Sequence, residues 1–335
     1  MVNFKNNISL LPYNTFGINV KTSSFIHVRK TDHLLNALKK KSFEKILVIG
    51  QGSNVLFTKD YPGLIILMDN HGIEIIKENQ KEVIVKVQSG ENWHQFVLWC
   101  LKNNYGGVEN LALIPGKVGA APIQNIGAYG VEIKDVFLSC NTLELSSLTF
   151  KEFNPDECSF GYRDSVFKSK LKGKYIITSV TLKLQKYPHK VNVSYGNLEK
   201  ILKGKKKTIQ NIAESVIKIR SSKLPDPKII GNCGSFFKNP IISKSQLKDL
   251  IKTFKEVPFY SHSKDKIKIP AAWIIEKLGY KGYNENKVGV YKNHSLVLIN
   301  LGNARGKDVK LLAEKIRSKV LDVFSISLEY EVNVW

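Results

Sequence analysis

Two glycine-rich loops, an arginine beside an aspartate and a serine beside a glycine are the parts of this sequence that could do chemistry. Gly50-Gln51-Gly52-Ser53-Asn54 follows the compact apolar segment Lys45–Ile49. Glycines there let backbone amides approach a pyrophosphate closely, and Ser53 and Asn54 add side-chain donors. The loop is not the dinucleotide fingerprint of a doubly wound fold. Val55 stands where the third glycine would be, and Val55–Phe57 continues as apolar chain instead of opening a helix. The second stretch, Tyr105–Tyr129, carries glycine at 106, 107, 116, 119 and 127 and proline at 115 and 122. A loop that long and that rich in Gly and Pro is more often a binding surface than a connector. Two such loops, each after an apolar segment, could close on the two ends of one extended cofactor.

The remaining candidates have plain readings from their own chemistry. Arg163 next to Asp164 reads as an ion pair, and Ser235 after Gly234 as a turn serine. Cys100, Cys140, Cys158 and Cys233 are widely spaced, with no C-x-x-C pair, and the seven histidines show no metal-binding spacing. Neither a disulfide framework nor a metal site is expected. The net charge of +22 invites a nucleic-acid partner, but only five of the 51 basic residues are arginine, the side chain that reads bases bidentately. Lysine runs such as Lys39–Lys41 and Lys203–Lys207 read as solvated faces. No apolar run is long enough to span a bilayer, and Met1–Leu11 lacks the apolar core of a secretory signal. The expectation is a cytoplasmic monomer acting on a small molecule, with no nucleic acid and no membrane.

Around these residues, 335 positions leave room for two or three domains. Periodicity predicts strands at Ser24–Val28, Lys45–Ile49, Leu64–Met68, Val83–Val87, Phe137–Leu145 and Tyr175–Leu184. It predicts helices at Thr31–Lys41, with Thr31 or Asp32 as N-cap, and at Glu91–Asn103. Leu224-Pro225-Asp226-Pro227 is a helix stop and a boundary. Beyond it come a helix at Pro270–Leu278, strands at Val288–Tyr291 and Leu296–Ile299, a helix over Lys307–Phe324 and a last strand Ser327–Val334. The class is α+β with mixed sheets.

Several segments, taken in order, resemble one enzyme family. They are NTFGI at Asn14–Ile18, GQGSNVLF at Gly50–Phe57, GENWH at Gly90–His94, ENLALIPGKVGAAPIQNIGAYGVE at Glu109–Glu132, FGYRDSVFK at Phe160–Lys168, KLPDPK at Lys223–Lys228 and GNCGSFFKNP at Gly231–Pro240. The chain is similar along nearly its whole length to the UDP-N-acetylenolpyruvoylglucosamine reductases, in the longer type with an extra loop at Ser194–Leu198. The resemblance implies a two-part FAD-binding region of the PCMH/vanillyl-alcohol-oxidase type, at 1–70 and 71–224. It implies a substrate domain at 225–324 and a final strand, 325–335, returning near the first part.

It also implies FAD and NADPH as cofactors and an enolpyruvyl ether of a UDP-sugar as substrate. Reducing that alkene means adding hydride to one carbon and a proton to the other while charge builds toward the carboxylate. By the family's motifs, Arg163 holds the carboxylate or stabilises the developing charge, Ser235 gives the proton, and Glu331 is the assisting carboxylate, with Glu329 the competing choice on the same strand face. Tyr195 closes over the nucleotide, and Lys223, Asn239 and Arg220 contact the diphosphate or carboxylate, with Lys168 a further candidate. FAD falls to Gly50, Gly52, Ser53, Asn54, Val55, Pro115, Gly116, Gly119, Gln124, Asn125, Gly127 and Ala128. Another PCMH-type flavin oxidoreductase, a sugar or alcohol oxidase, is the alternative. The Gly50–Phe57 loop offers no His or Cys to link a flavin covalently.

Overall fold

The apolar stretches of the first two hundred residues pair into two main sheets in the computed structural model, which describes residues 3–196 and 198–335. Asn197, inside the extra loop, lies outside the described residues. The chain forms two units, one of residues 1–8, 22–51 and 62–220, the other of 9–21, 52–61 and 221–335.

In the first unit, Lys5–Ser9, Lys21–Val28, Tyr61–Met68 and Ile46–Ile49 lie side by side in that order, the last two parallel. Ile26, Val28, Leu64, Ile66 and Met68 pack on Leu34, Ala37 and Leu38 of the helix Thr31–Lys40. Thr31 and Asp32 are not its N-cap: Lys30 holds that position without a side-chain cap. Asp32 instead sits in the first turn, where a carboxylate complements the positive end of the helix dipole.

A second sheet orders Phe150–Phe153, Phe137–Glu144, Tyr175–Gln185, Glu82–Gln88 and Ile73–Glu78, all antiparallel. Val83, Val85 and Val87 bury one face, as period two requires. The helix Trp93–Lys102 lays Trp93, Phe96, Val97 and Cys100 into the same core, and Asn92 caps it by accepting from the Gln95 N–H at 2.9 Å. The Trp93 indole donates to Leu111 O at 2.9 Å, fixing the start of the glycine-rich loop. The edge strand Ile73–Glu78 carries no readable alternation because Glu74–Glu78 are all exposed.

In the second unit, Gly231–Ser235, Val297–Asn300, Val288–Val290 and Asn284–Glu285 form one sheet, joined by the long helix Gly306–Phe324 and the shorter helices Lys244–Thr253 and Ala271–Lys277. The expected last strand is shorter than its pattern suggested. Only Asn333–Val334 pairs regularly, parallel to Val55–Leu56. Before it, Ile326 and Leu328 alternate inward, but the pairing with the neighbouring segment reduces to one bridge, Tyr330 with Phe237. Parallel pairs beside antiparallel ladders, with helices on both units, make the fold α+β with mixed sheets. Among the described residues no helix is long and apolar enough to cross a membrane.

Candidate active site

Close backbone packing explains the glycines of the first unit before any ligand is considered. A Cβ on Gly50 would lie 2.7 Å from Lys117 Cγ, and one on Gly119 would lie 2.4 Å from Ser89 Cβ. Gly116 N–H donates to Gln51 Oε1 at 2.9 Å, so the two glycine loops are tied directly. The Lys117 stem crosses Gly50, while its ammonium donates to Gly90 O at 2.6 Å and pairs with Asp69 at 3.1 Å. Burial alone would push the Asp69 carboxyl up. Hydrogen bonds from His27, Lys117 and His71, with the Lys117 charge, outweigh it and hold the group at about 2.

The four-residue turn Gly127–Gly130, which starts with the short strand Gly127–Ala128 and leads into its partner Val131–Glu132, is the second organising feature. Buried Asn125, with φ +45°, anchors it: its Nδ2 donates to Glu132 Oε2 and Gly161 O, each at 2.9 Å, and its Oδ1 accepts from Lys134 N–H. That carboxamide is committed inside the loop, so only its backbone can serve a cofactor. Arg163 Nη2 donates to Gly127 O at 2.9 Å. Its φ of +54° is an uncommon, strained value for a residue with a Cβ, and the Gly161–Asp164 bridge holds it there. At the other end of the turn, Tyr195 Cβ lies 3.3 Å from where a Cβ on Gly130 would sit. Gln124 Oε1 accepts from Lys168 Nζ at 3.4 Å, and Pro115 is exposed.

Arg220, on the helix Ile209–Lys223, donates to Leu113 O at 3.3 Å. Burial lowers its pKa; the Tyr129 phenol opposes this and the Arg163 charge adds to it. His94 Nδ1 accepts from Leu113 N–H at 3.1 Å, and burial with the Arg220 charge lowers its pKa, favouring the neutral ring. Arg163 and Arg220 thus raise the local positive potential together, which suits an anionic ligand. Gly50, Pro115, Gly116, Gly119, Gln124, Asn125, Gly127 and Ala128 carry no charge. The backbone amides of these neutral loops are a donor set that fits the diphosphate of FAD.

In the second unit, Ser235 and Glu331 are brought together. Ser235 follows a bulge in the ladder between Gly231–Ser235 and Val297–Asn300. Gly234 supplies the bulge with φ +70° and open space at its Cβ position, so backbone freedom and not crowding requires glycine. Asn232 Oδ1 accepts the Gly234 N–H at 2.9 Å and fixes that kink. The Glu331 N–H donates to Phe236 O at 2.9 Å, and its carbonyl accepts from Asn54 Nδ2 at 3.3 Å. Glu329 differs: it is exposed, and its carboxylate pairs with Lys238 at 3.0 Å.

Tyr330 packs edge-on against Phe236 and donates its hydroxyl to Glu314 at 2.5 Å. Burial, then that hydrogen bond, push the phenol up to about 12. Cys233 is buried with its Sγ on Val55 O at 3.3 Å, and burial pushes its thiol far up, which makes it packing and not a nucleophile.

Gly52, with φ +60°, packs so tightly on Tyr13 O that a Cβ would lie 2.1 Å away. Ser53 is half-buried beside it, and Val55 is buried in the pair with Asn333. Asn239 Oδ1 accepts from Ala271 N–H at 2.9 Å, capping the helix Ala271–Lys277. Lys223 is exposed at the end of its helix, where the Leu224–Pro227 stop releases the chain.

Sequence reading did not single out Asn110, Asn192, Gln51, Asp69 or Lys117. All but Asn192 and Asp69 lie within the quoted motifs, but nothing local marks their partners, 19 to 82 positions away.

Comparison with known proteins gives these loops a family. Residues 23–145 match the model of a FAD binding domain, and 226–335 match that of the UDP-N-acetylenolpyruvoylglucosamine reductase C-terminal domain. The UDP-N-acetylenolpyruvoylglucosamine reductase of Flavobacterium johnsoniae is 48% identical over 98% of this chain and 99% of its own length. That of Amoebophilus asiaticus is 45% identical over 99% of each. The crystal structure of the Thermus caldophilus enzyme of that name superposes with a TM-score of 0.68 at 22% identity, over 100% of this chain and 99% of its own, and so shares the fold.

Proposed function

Because the chain belongs to the UDP-N-acetylenolpyruvoylglucosamine reductase family and is a flavin-dependent oxidoreductase, we propose that it reduces UDP-N-acetylglucosamine enolpyruvate to UDP-N-acetylmuramate at the expense of NADPH. The step belongs to peptidoglycan precursor synthesis, in the cytoplasm, and the protein works as a monomer. The end-to-end match to reductases of that name is the observation that carries this reading.

FAD, when bound, would bring hydride chemistry to the site, with NADPH as the source of the electrons. Hydride addition at the terminal alkene carbon places enolate charge on the carboxylate end of the substrate. Arg163 meets that charge: its guanidinium is permanently cationic, and the Gly127 carbonyl fixes one of its nitrogens in place. Ser235 delivers the proton to the carbon that bears the ether oxygen. A serine hydroxyl is a weak acid, so it needs help, and Glu331, held by its backbone to the residue after Ser235, assists at the polarised enol-carboxylate. Lys223 and the NH2 end of Asn239 serve the diphosphate, and Tyr195 covers the nucleotide.

The visible spectrum under anaerobic conditions tests this. A flavin band that bleaches with stoichiometric NADPH and returns on adding the enolpyruvyl UDP-sugar is the expected result. A band that returns only with oxygen would contradict the substrate assignment and favour an oxidase.

A further inference from the structure

We propose that Asn192, with Asn110 beneath it, is a positioning residue that fastens the Tyr195-bearing segment to the Gly127–Gly130 turn. The inference rests on the reading of Tyr195 as the cover over the nucleotide. Two side-chain amides do the fastening. Asn110 is fully buried, and its single NH2 group donates to Tyr129 O in the turn and to Asn192 O in the segment, each at 2.9 Å. Both hydrogens are therefore used, one on each side of the junction. Its Oδ1 is buried and accepts from no group among the described residues, a cost that packing alone would not select.

Asn192 closes the link from above. Its Nδ2 donates to Gly130 O at 3.0 Å, and its Oδ1 accepts from the Ser194 N–H at 3.2 Å and the Ser194 hydroxyl at 2.9 Å. Ser194 is next to Tyr195, so the Asn192 carboxamide fixes the backbone immediately before the tyrosine. Further back, Lys190 N–H donates to Gln185 Oε1 at 2.8 Å and the His189 ring bonds Asn104 O at 2.9 Å, so the segment is anchored at both ends. Gly130 has φ +81°, and a Cβ there would come within 3.0 Å of Asn192 Nδ2 and 3.3 Å of Tyr195 Cβ. The glycine therefore admits the segment to the turn.

The consequence lies in what else the turn holds. Arg163 is fixed on Gly127 O, Asn110 on Tyr129 O and Asn192 on Gly130 O. One short turn thus sets the place of the carboxylate-binding arginine and of the nucleotide-covering tyrosine together. Substrate position then depends on Asn192 through Tyr195, while flavin reduction by NADPH does not.

The test uses the FAD-loaded protein and the variants Asn192→Ala, Tyr195→Ala and the double variant, with Asn110→Leu as a second way to remove the link. The expected result for Asn192→Ala is a roughly tenfold higher KM for the enolpyruvyl UDP-sugar, from loss of weak hydrogen bonds. Its kcat and the rate of flavin bleaching by NADPH should stay within about twofold of wild type, well under one hydrogen bond's worth. In the Tyr195→Ala background the same substitution should add nothing, because its effect runs through the tyrosine. Tryptic cutting at Lys190 and Lys200 should also quicken by about tenfold as local opening becomes easier.

Unchanged cutting in both Asn192→Ala and Asn110→Leu would overturn the fastening, whatever Tyr195 does. Additive KM effects of Asn192→Ala and Tyr195→Ala would overturn the route through the tyrosine. Quicker cutting while Tyr195→Ala itself leaves KM unchanged would remove the covering role of Tyr195, and with it the role of Asn192 in the reaction.

Discussion

The turn that holds Arg163 and the bulge that presents Ser235 solve the same problem by opposite means. Around Arg163 the backbone is irregular: Asn125, Tyr129 and Arg163 all have positive φ, and carboxamides from distant parts of the chain tie the loops. Around Ser235 the backbone is a sheet with one kink, set by Gly234 and Asn232, beside an extended C-terminal segment. A fixed cation that receives a planar carboxylate needs exact direction, which many weak ties can supply. A proton donor needs only reach and one orientation, which a single bulge gives at little cost. The first region should therefore be sensitive to chemistry and lose position in modest steps as single ties go, and the second sensitive to one glycine.

The sharpest way to press that difference is to exchange the two candidate carboxylates. Glu331→Gln should lower turnover by about 10³ if the carboxylate assists proton delivery, whereas Glu329→Gln, an exposed carboxylate paired with half-buried Lys238, should stay within a few-fold. Steady-state kinetics of the two variants decide it. Next in size, Arg163→Lys should cost about 10² in kcat/KM, since an ammonium keeps the charge but loses the planar fork of donors that the guanidinium sets on Gly127 O. Gly234→Ala should cost about tenfold in turnover and about 1–2 kcal/mol of stability, because φ +70° strains any residue with a Cβ. FAD content should not change in that variant.

The smallest effect concerns the link between the glycine loops. The folded carboxyl of Asp69 sits at about 2, below its unfolded value, so its contribution is fully present above roughly pH 5 and is lost as the pH falls toward 2. Asp69→Asn should lower stability at neutral pH by about 1 kcal/mol and flatten the acid limb of the stability curve in that window. Thermal melts from pH 7 to pH 3 would show it; an acid limb as steep as wild type would contradict it.

Much of this was legible in the residues. Alternating valines at 83, 85 and 87 and the stop at Leu224–Pro227 set their elements correctly. What escaped was long-range or unpatterned. The exposed strand Ile73–Glu78 has no buried face to announce it. The helix at Thr31 begins one residue after an uncapped lysine, so a capping rule pointed inside its first turn. The C-terminal strand is mostly a single bridge because its hydrogen bonds go to the irregular segment after Ser235. The glycines of the first loops read as room for phosphate, while the structure shows several of them needed first for protein backbone and side chains to meet. Asn110 and Asn192 carry no local signal at all, since an amide bridging two loops has no period.

If Ser235 gives the proton, it takes no part in loading the flavin with electrons. Stopped-flow absorbance of Ser235→Ala, reduced by NADPH and then mixed anaerobically with the enolpyruvyl UDP-sugar, tests it most directly. Proton donation by Ser235 requires bleaching by NADPH at the wild-type rate and reoxidation slowed by about 10³ or more. Reoxidation at the wild-type rate would remove Ser235 as the proton donor.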